Sequence, residues 1–216
     1  MIVLNLKTYD AVIKNPLYFV DIAKEVVGES GVRIPIAVPA PYLKEAAERY
    51  CDVYAQHMDH YEPGAHTGSI IAEMLSYLRV RGTLINHSEK RVAHNIIKEA
   101  VERAHLNNIE TIVCAESPEE SEVLSDTQPS FIAVEPPELI GSGISVSTAK
   151  PDVIINTVKK VKAKNPQVKV LCGAGVNNKD DVRKALELGA EGVLLASAYV
   201  KSKNPKEFLE ELASVF

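Results

Sequence analysis

The chain has 216 residues, 46% of them hydrophobic and 25% charged, with a formal net charge of −5. Those values belong to an ordinary globular protein, and they supply no basic stripe of the kind that draws nucleic acid or an anionic membrane. The start, Met1-Ile-Val-Leu-Asn-Leu-Lys7, has neither the charged region nor the apolar core of a signal peptide, and no run reaches the ~18 apolar residues of a membrane span.

Taken in chain order, short apolar runs of strand length recur at Ile2–Leu4, Ile34–Val38, Val53–Ala55, Thr83–Ile85, Thr111–Cys114, Ile132–Val134, Val168–Leu171 and Gly192–Leu195. Most are followed by helical periodicity. Ile96, Ile97, Ala100 and Ala104 share a face, as do Val153, Ile154, Val158 and Val161, and then Val182, Ala185, Leu186 and Leu188. Ser117-Pro118, Asn178 and Asn204-Pro205 are suited to start helices, and Gly189 is suited to end one. Segments 40–52 and 116–130 leave room only for short helices.

Near-continuous apolar strands alternating with helices imply a parallel sheet buried on both faces. Eight such units in 216 residues come to about 27 apiece, with no linker or composition shift between them. The expected architecture is therefore α/β, a compact (β/α)8 barrel, with residues 1–216 as a single domain.

The three cysteines, Cys51, Cys114 and Cys172, lack metal-like spacing and lie in or beside apolar runs, where a cysteine is usually a small buried hydrophobe. They fit a reducing cytoplasm.

In such a barrel, residues just after each strand share one rim, where active sites lie. That rim collects Asn5 and Lys7, then Gln56, then Asn86-His87-Ser88-Glu89. Glu135 follows the sixth strand, Gly173-Ala174-Gly175 the seventh and Ala196-Ser197 the eighth. The segment Phe131-Ile-Ala-Val-Glu135-Pro-Pro-Glu-Leu-Ile-Gly141-Ser-Gly143 carries a carboxylate from a rigid strand end into a glycine-bearing loop. Glycines let backbone N–H groups approach an anion. An amide, a cation, an imidazole and a base candidate beside such segments suit proton transfer next to a carbonyl on a phosphorylated substrate.

Asn5-Leu-Lys7, Ala55-Gln56 with Gly64-Ala-His-Thr67-Gly68, Asn86-His87-Ser-Glu89-Lys-Arg91, and Ala133-Val-Glu135-Pro with Ile140-Gly141-Ser-Gly143 together resemble the triosephosphate isomerase family. The order and spacing match over essentially the whole chain, and its shortness, with Cys-Gly-Ala-Gly-Val, is similar to the compact archaeal branch. The resemblance implies a cofactor-free and metal-free isomerase acting on a small phosphorylated triose. Glu135 would be the base, and neutral His87 would polarise the carbonyl. Lys7 and Asn5 would stabilise the oxyanion, with Glu89 holding the rim. Ile140, Gly141, Gly175, Ala196 and Ser197 would bind substrate, and the loop from Pro136 to Val146 would close over it. It also implies a homodimer or homotetramer in which the loop from His57 to Ser69, with Met58 and Tyr61 exposed, enters a neighbouring subunit.

Three departures stand out. The chain has no Trp for the first hinge of that loop, and Pro137-Glu138 replaces it. Cys172 and Gly175 stand where the family commonly has Tyr and Ser, so a latch between the seventh-strand loop and the closed loop has to use other groups. Ala196-Ser197 replaces the usual Gly-Gly. Two rivals are weaker. Another phosphate-binding barrel would share the glycine segments but not the pair His87 and Glu135. A non-catalytic barrel would have lost Lys7, His87 or Glu135. His57, His60 and His66 cluster after the third strand, but their spacing fits no common zinc pattern.

Overall fold

The computed structural model describes residues 1–139 and 145–216. Eight strands are formed by β1 Ile2–Asn5, β2 Ile36–Val38, β3 Val53–Ala55, β4 Gly82–Ile85, β5 Glu110–Ala115, β6 Phe131–Val134, β7 Lys169–Cys172 and β8 Gly192–Leu195. Each pairs in parallel with the next, and β8 returns to β1, so the sheet closes. The second expected strand is shortened at its start. Pro35 has no N–H for the ladder, although its carbonyl accepts from Leu4 N at 2.8 Å.

Helices fill the connections. α1 Asp10–Lys14 and α2 Pro16–Ser30 follow β1, α3 Leu43–Arg49 follows β2, α4 Ala72–Tyr77 follows β3, and α5 His94–Leu106 follows β4. α6 Pro118–Leu124 follows β5, α7 Val146–Ala149 and α8 Pro151–Lys164 follow β6, α9 Lys179–Glu187 follows β7, and α10 Ser197–Val200 and α11 Pro205–Ala213 follow β8. The two cramped segments hold helices of 7 residues each. All three expected start residues act as caps: Ser117 accepts from Glu120 N, Asn178 from Asp180 N and Asp181 N, and Asn204 from Glu207 N. Gly189, at φ 96°, lies just past α9 in the left-handed conformation that suits glycine.

Strand alternation sorts the apolar residues into two cores. Val3, Ala37, Tyr54, Leu84, Ile112, Cys114, Phe131, Ala133, Leu171 and Leu194 fill the barrel interior. Their neighbours on the other strand face, Leu4, Ile36, Val53, Ile85, Val113, Ile132, Val170 and Val193 among them, pack outward against the helices. The N-terminal end of the barrel is stoppered by charge: Arg33 donates to both oxygens of Asp52 at 2.8 Å and to Glu110 at 2.7 Å, and Arg81 reaches Glu110. Chemistry is left to the opposite end.

Two sequence expectations are corrected. Cys51 is exposed, because it lies in the bend joining α3 to β3 outside either core, whereas Cys114 and Cys172 are buried. Met58 is only 1% exposed and packs in the helix-facing core; residues 61–68 of the same loop are the exposed ones.

Candidate active site

Strand alternation aims the first functional residues. Val3 points into the barrel and Leu4 out, so Asn5 points in; Ile132 points out and Ala133 in, so Glu135, two residues on, points in. At β7 the same rule brings Gly173 to the inner face, next to Glu135. Asn5, Lys7, His87, Glu135, Gly175, Ala196 and Ser197 line one cavity at the C-terminal mouth, together with Tyr9, Gly173, Asn177 and Leu194. Seven of the expected residues thus meet at one place. Glu89 lies beside it, lining an adjoining groove with Asn5, Lys7 and His87. Ile140 and Gly141 lie outside the described residues.

Lys7 adopts φ 48°, a backbone region costly for a side-chain-bearing residue, and its surroundings over-determine it. Its N–H donates to Asn5 Oδ1 at 3.0 Å, Gln56 Nε2 donates to its carbonyl at 3.1 Å, and its ammonium meets Glu89 Oε1 at 2.7 Å. Gln56 Nε2 also reaches Asn5 Oδ1 at 3.3 Å, so β1 and β3 together present the amide and the cation.

Asn86 makes the turn that delivers His87. At φ 62° it leaves the strand path, its amide donates to Cys114 O at 2.9 Å, and its side-chain oxygen accepts from Val92 N at 3.1 Å. His87 is buried, and its Nδ1 accepts from the Glu89 N–H at 3.2 Å. A ring nitrogen that accepts there carries no proton, so the hydrogen bonding assigns a neutral ring with its proton on Nε2. Burial, then the nearby Lys7 charge, pushes its pKa below the ordinary histidine value, in keeping with that form. His87 Nε2 stands 3.6 Å from Glu135 Oε1.

Glu135 is 4% exposed, and its Oε2 has no hydrogen-bond partner among the described residues. Burial raises its pKa to about 7, against the opposing pull of the Cys114 thiol and the Lys7 charge. A base poised near neutrality next to a neutral imidazole N–H is equipped to move a proton from carbon while the imidazole stabilises the oxygen beside it.

The small-residue segments expected to meet an anion line the same cavity as this pair. Gly175 holds φ 71°, and Ala196-Ser197 opens α10, whose first N–H groups have no partner within the helix. Sequence reasoning missed two contributors. By sequence Cys114 is only a small hydrophobe, but strand alternation places it on the inner face below Glu135. By sequence Gly173 offers its backbone, whereas in the fold its missing side chain is what matters.

The loop from His57 to Ser69 is ordered by its own side chains. Tyr61 lies between the rings of His60 and His66, each centroid 4.1 Å away, and His57 Nε2 meets Asp59 at 3.2 Å. Among the described residues no group of three or more His, Cys, Asp or Glu is gathered to hold a metal, and no helix is long and apolar enough to cross a membrane.

Comparison with known proteins agrees with this geometry. The family model for triosephosphate isomerase matches residues 1–214. The triosephosphate isomerase of Methanocaldococcus jannaschii is 48% identical over 98% of each chain. That of Methanothermus fervidus is 46% identical over 98% of this chain and 96% of its own, and that of Archaeoglobus fulgidus 43% identical over 100% and 97%. With a closed eightfold barrel, a carboxylate and an imidazole facing across its mouth, and similarity that runs from end to end, the chain belongs to the triosephosphate isomerase family.

Proposed function

We infer that this protein interconverts D-glyceraldehyde 3-phosphate and dihydroxyacetone phosphate by proton transfer through an enediolate, the triose step shared by glycolysis and gluconeogenesis, working as one barrel domain over residues 1–216. The observation that carries the reading is the buried Glu135 carboxylate 3.6 Å from the protonated nitrogen of His87. Glu135 takes the proton from the carbon beside the carbonyl and returns it to the neighbouring carbon. His87 Nε2–H donates to the carbonyl oxygen as negative charge develops there. Lys7 supplies fixed positive charge and Asn5 steadies the Lys7 backbone, while Glu89 holds the Lys7 ammonium at the rim. The phosphate is held by backbone N–H groups of Gly175, Ala196 and Ser197, with Ile140 and Gly141 contributing as the family resemblance implies.

The protein acts as a homodimer or homotetramer built around the loop from His57 to Ser69. Support comes from the groove beside the active site, lined by Ala40, Leu43, Ala55, Ile70, Lys7 and Glu89, and from the exposed tip at residues 61–68. A partner's loop entering that groove would brace the catalytic rim. The cytoplasm is the proposed location, on the strength of three unpaired thiols.

The deciding experiment is a coupled assay of both directions with purified protein, without added metal or nucleotide. Turnover that Glu135→Gln abolishes supports the reading; a folded wild-type protein with no turnover on either triose phosphate overturns it.

A further inference from the structure

Asp181 is a carboxylate that the reaction itself does not use. It is the third residue of α9 and only 8% exposed. Its two oxygens serve different parts of the chain. Oδ2 accepts from the backbone N–H of Asn177 at 2.9 Å, and Oδ1 accepts from the hydroxyl of Thr148 in α7 at 3.3 Å. Its own backbone carbonyl accepts from Ser147 Oγ at 3.1 Å, and Ser147 in turn meets Ser145 Oγ at 2.8 Å. The side-chain amide of Asn177 donates back to the carbonyl of Gly175 at 2.5 Å. One side chain therefore ties the 175–177 turn, which lines the active-site cavity, to α7, which enters from the β6 side.

We propose that Asp181 is a positioning residue for phosphate binding: by gripping Asn177 N–H and Thr148 Oγ1 together, it holds the Gly175 turn at the distance where its backbone N–H groups meet a phosphate monoester. The inference rests on the isomerase reading for the identity of the ligand. The family's hydroxyl-bearing residues are absent from Cys172-Gly-Ala-Gly175, and this carboxylate supplies the cross-connection instead. Asn177 sits just before Asn178, the N-cap of α9, so a reach from the third helical residue back past the cap is a local contact that by itself accounts for the bond to Asn177 N–H. It leaves the bond to Thr148 without a purpose.

Charge and geometry predict opposite signs, which makes the test sharp. By relief of Coulomb repulsion alone, removing a carboxylate near the anion site would tighten phosphate binding. Loss of positioning weakens it. Asp181→Asn retains both bonds, because the amide oxygen accepts from Asn177 N–H while the amide nitrogen donates to the Thr148 hydroxyl. Inorganic phosphate is the probe, followed as a competitive inhibitor and by its shift of the Gly175 amide signal in 1H–15N spectra.

The expected result is that Asp181→Ala raises the phosphate inhibition constant and the triose phosphate KM by about tenfold, the scale of one lost hydrogen bond to a charged group. Asp181→Asn should stay within about threefold of wild type, and Thr148→Val should shift in the Asp181→Ala direction by about threefold. If Asp181→Ala does not fold, the other two variants still decide. Unchanged phosphate affinity in Thr148→Val, or in a folded Asp181→Ala whose melting temperature alone falls, overturns the proposal in favour of a plain helix cap. Asp181→Asn as impaired as Asp181→Ala also overturns it. The Gly175 shift is read without catalysis, so a wild-type protein that binds phosphate but turns over no triose would remove the isomerase reading and leave the positioning role standing.

Discussion

A Cβ added to Gly173 would lie 2.5 Å from Cγ of Glu135 and 3.0 Å from the carbonyl oxygen of Val134. Both residues face the same inner layer on adjacent strands, where Gly173 N donates to Val134 O at 3.0 Å. The absent side chain at one position is thus the space occupied by the Glu135 side chain at the other.

Gly173→Ala should therefore displace Glu135 with little effect on overall folding. Misplacing a reacting group by about 1 Å costs roughly 10²-fold. We expect kcat to fall by about that amount while circular dichroism stays native; wild-type kcat would show that Glu135 has slack on its substrate side.

Glu135→Gln should lower kcat by about 10²–10⁴-fold, as for a positioned general base. It should also stabilise the protein above neutral pH. The carboxyl pKa is about 7 folded against 4.5 for the unperturbed group. The folded state thus binds more protons between those values, and stability drains away as pH rises through that window. Melting temperatures should favour the variant at about pH 8 and converge with wild type at about pH 4.

The pH dependence of kcat/KM should show an acid limb inflecting at about 7, since the free enzyme needs Glu135 ionised. The Cys114 thiol helps to hold that pKa down. Cys114→Ala should move the inflection to higher pH, leaving the plateau rate near wild type. A profile flat from about pH 5.5 to about pH 8 would separate the limb from Glu135.

Lys7→Met removes the cation that, in the proposed mechanism, serves both ground and transition states, so KM should rise and kcat should fall together. It also removes the partner of Glu89 and one of the charges that hold the Glu135 pKa down. The acid limb of kcat/KM should shift upward in this variant. Normal turnover would end the charge role.

Thr67 stands in the exposed stretch of the His57 to Ser69 loop. Thr67→Glu should lower association and activity together if that loop enters a neighbouring copy, because the rim at Asn5, Lys7 and Glu89 would lose its support. Sedimentation at micromolar concentration alongside the assay checks it. A fully active monomer would sink the proposal.

Much of this protein was legible in the sequence because local rules write themselves directly onto residues. Near-continuous apolar runs of strand length located all eight strands within a few residues, and Ser117, Asn178 and Asn204 marked helix starts because short oxygen-bearing side chains satisfy orphan N–H groups there. Asn5, Lys7, His87, Glu135, Gly175, Ala196 and Ser197 were findable as the residues just beyond strand ends. What needed the closed barrel were relations between positions far apart in the chain. Met58 and Cys51 exchanged their expected environments because burial depends on which core a bend faces, and no single-residue preference encodes that. The His87 tautomer hangs on the Glu89 N–H, the base strength of Glu135 on burial and on Cys114, and the place of that base on an empty position at Gly173. Desolvation and steric exclusion act through space, and only the folded chain brings these groups within each other's reach.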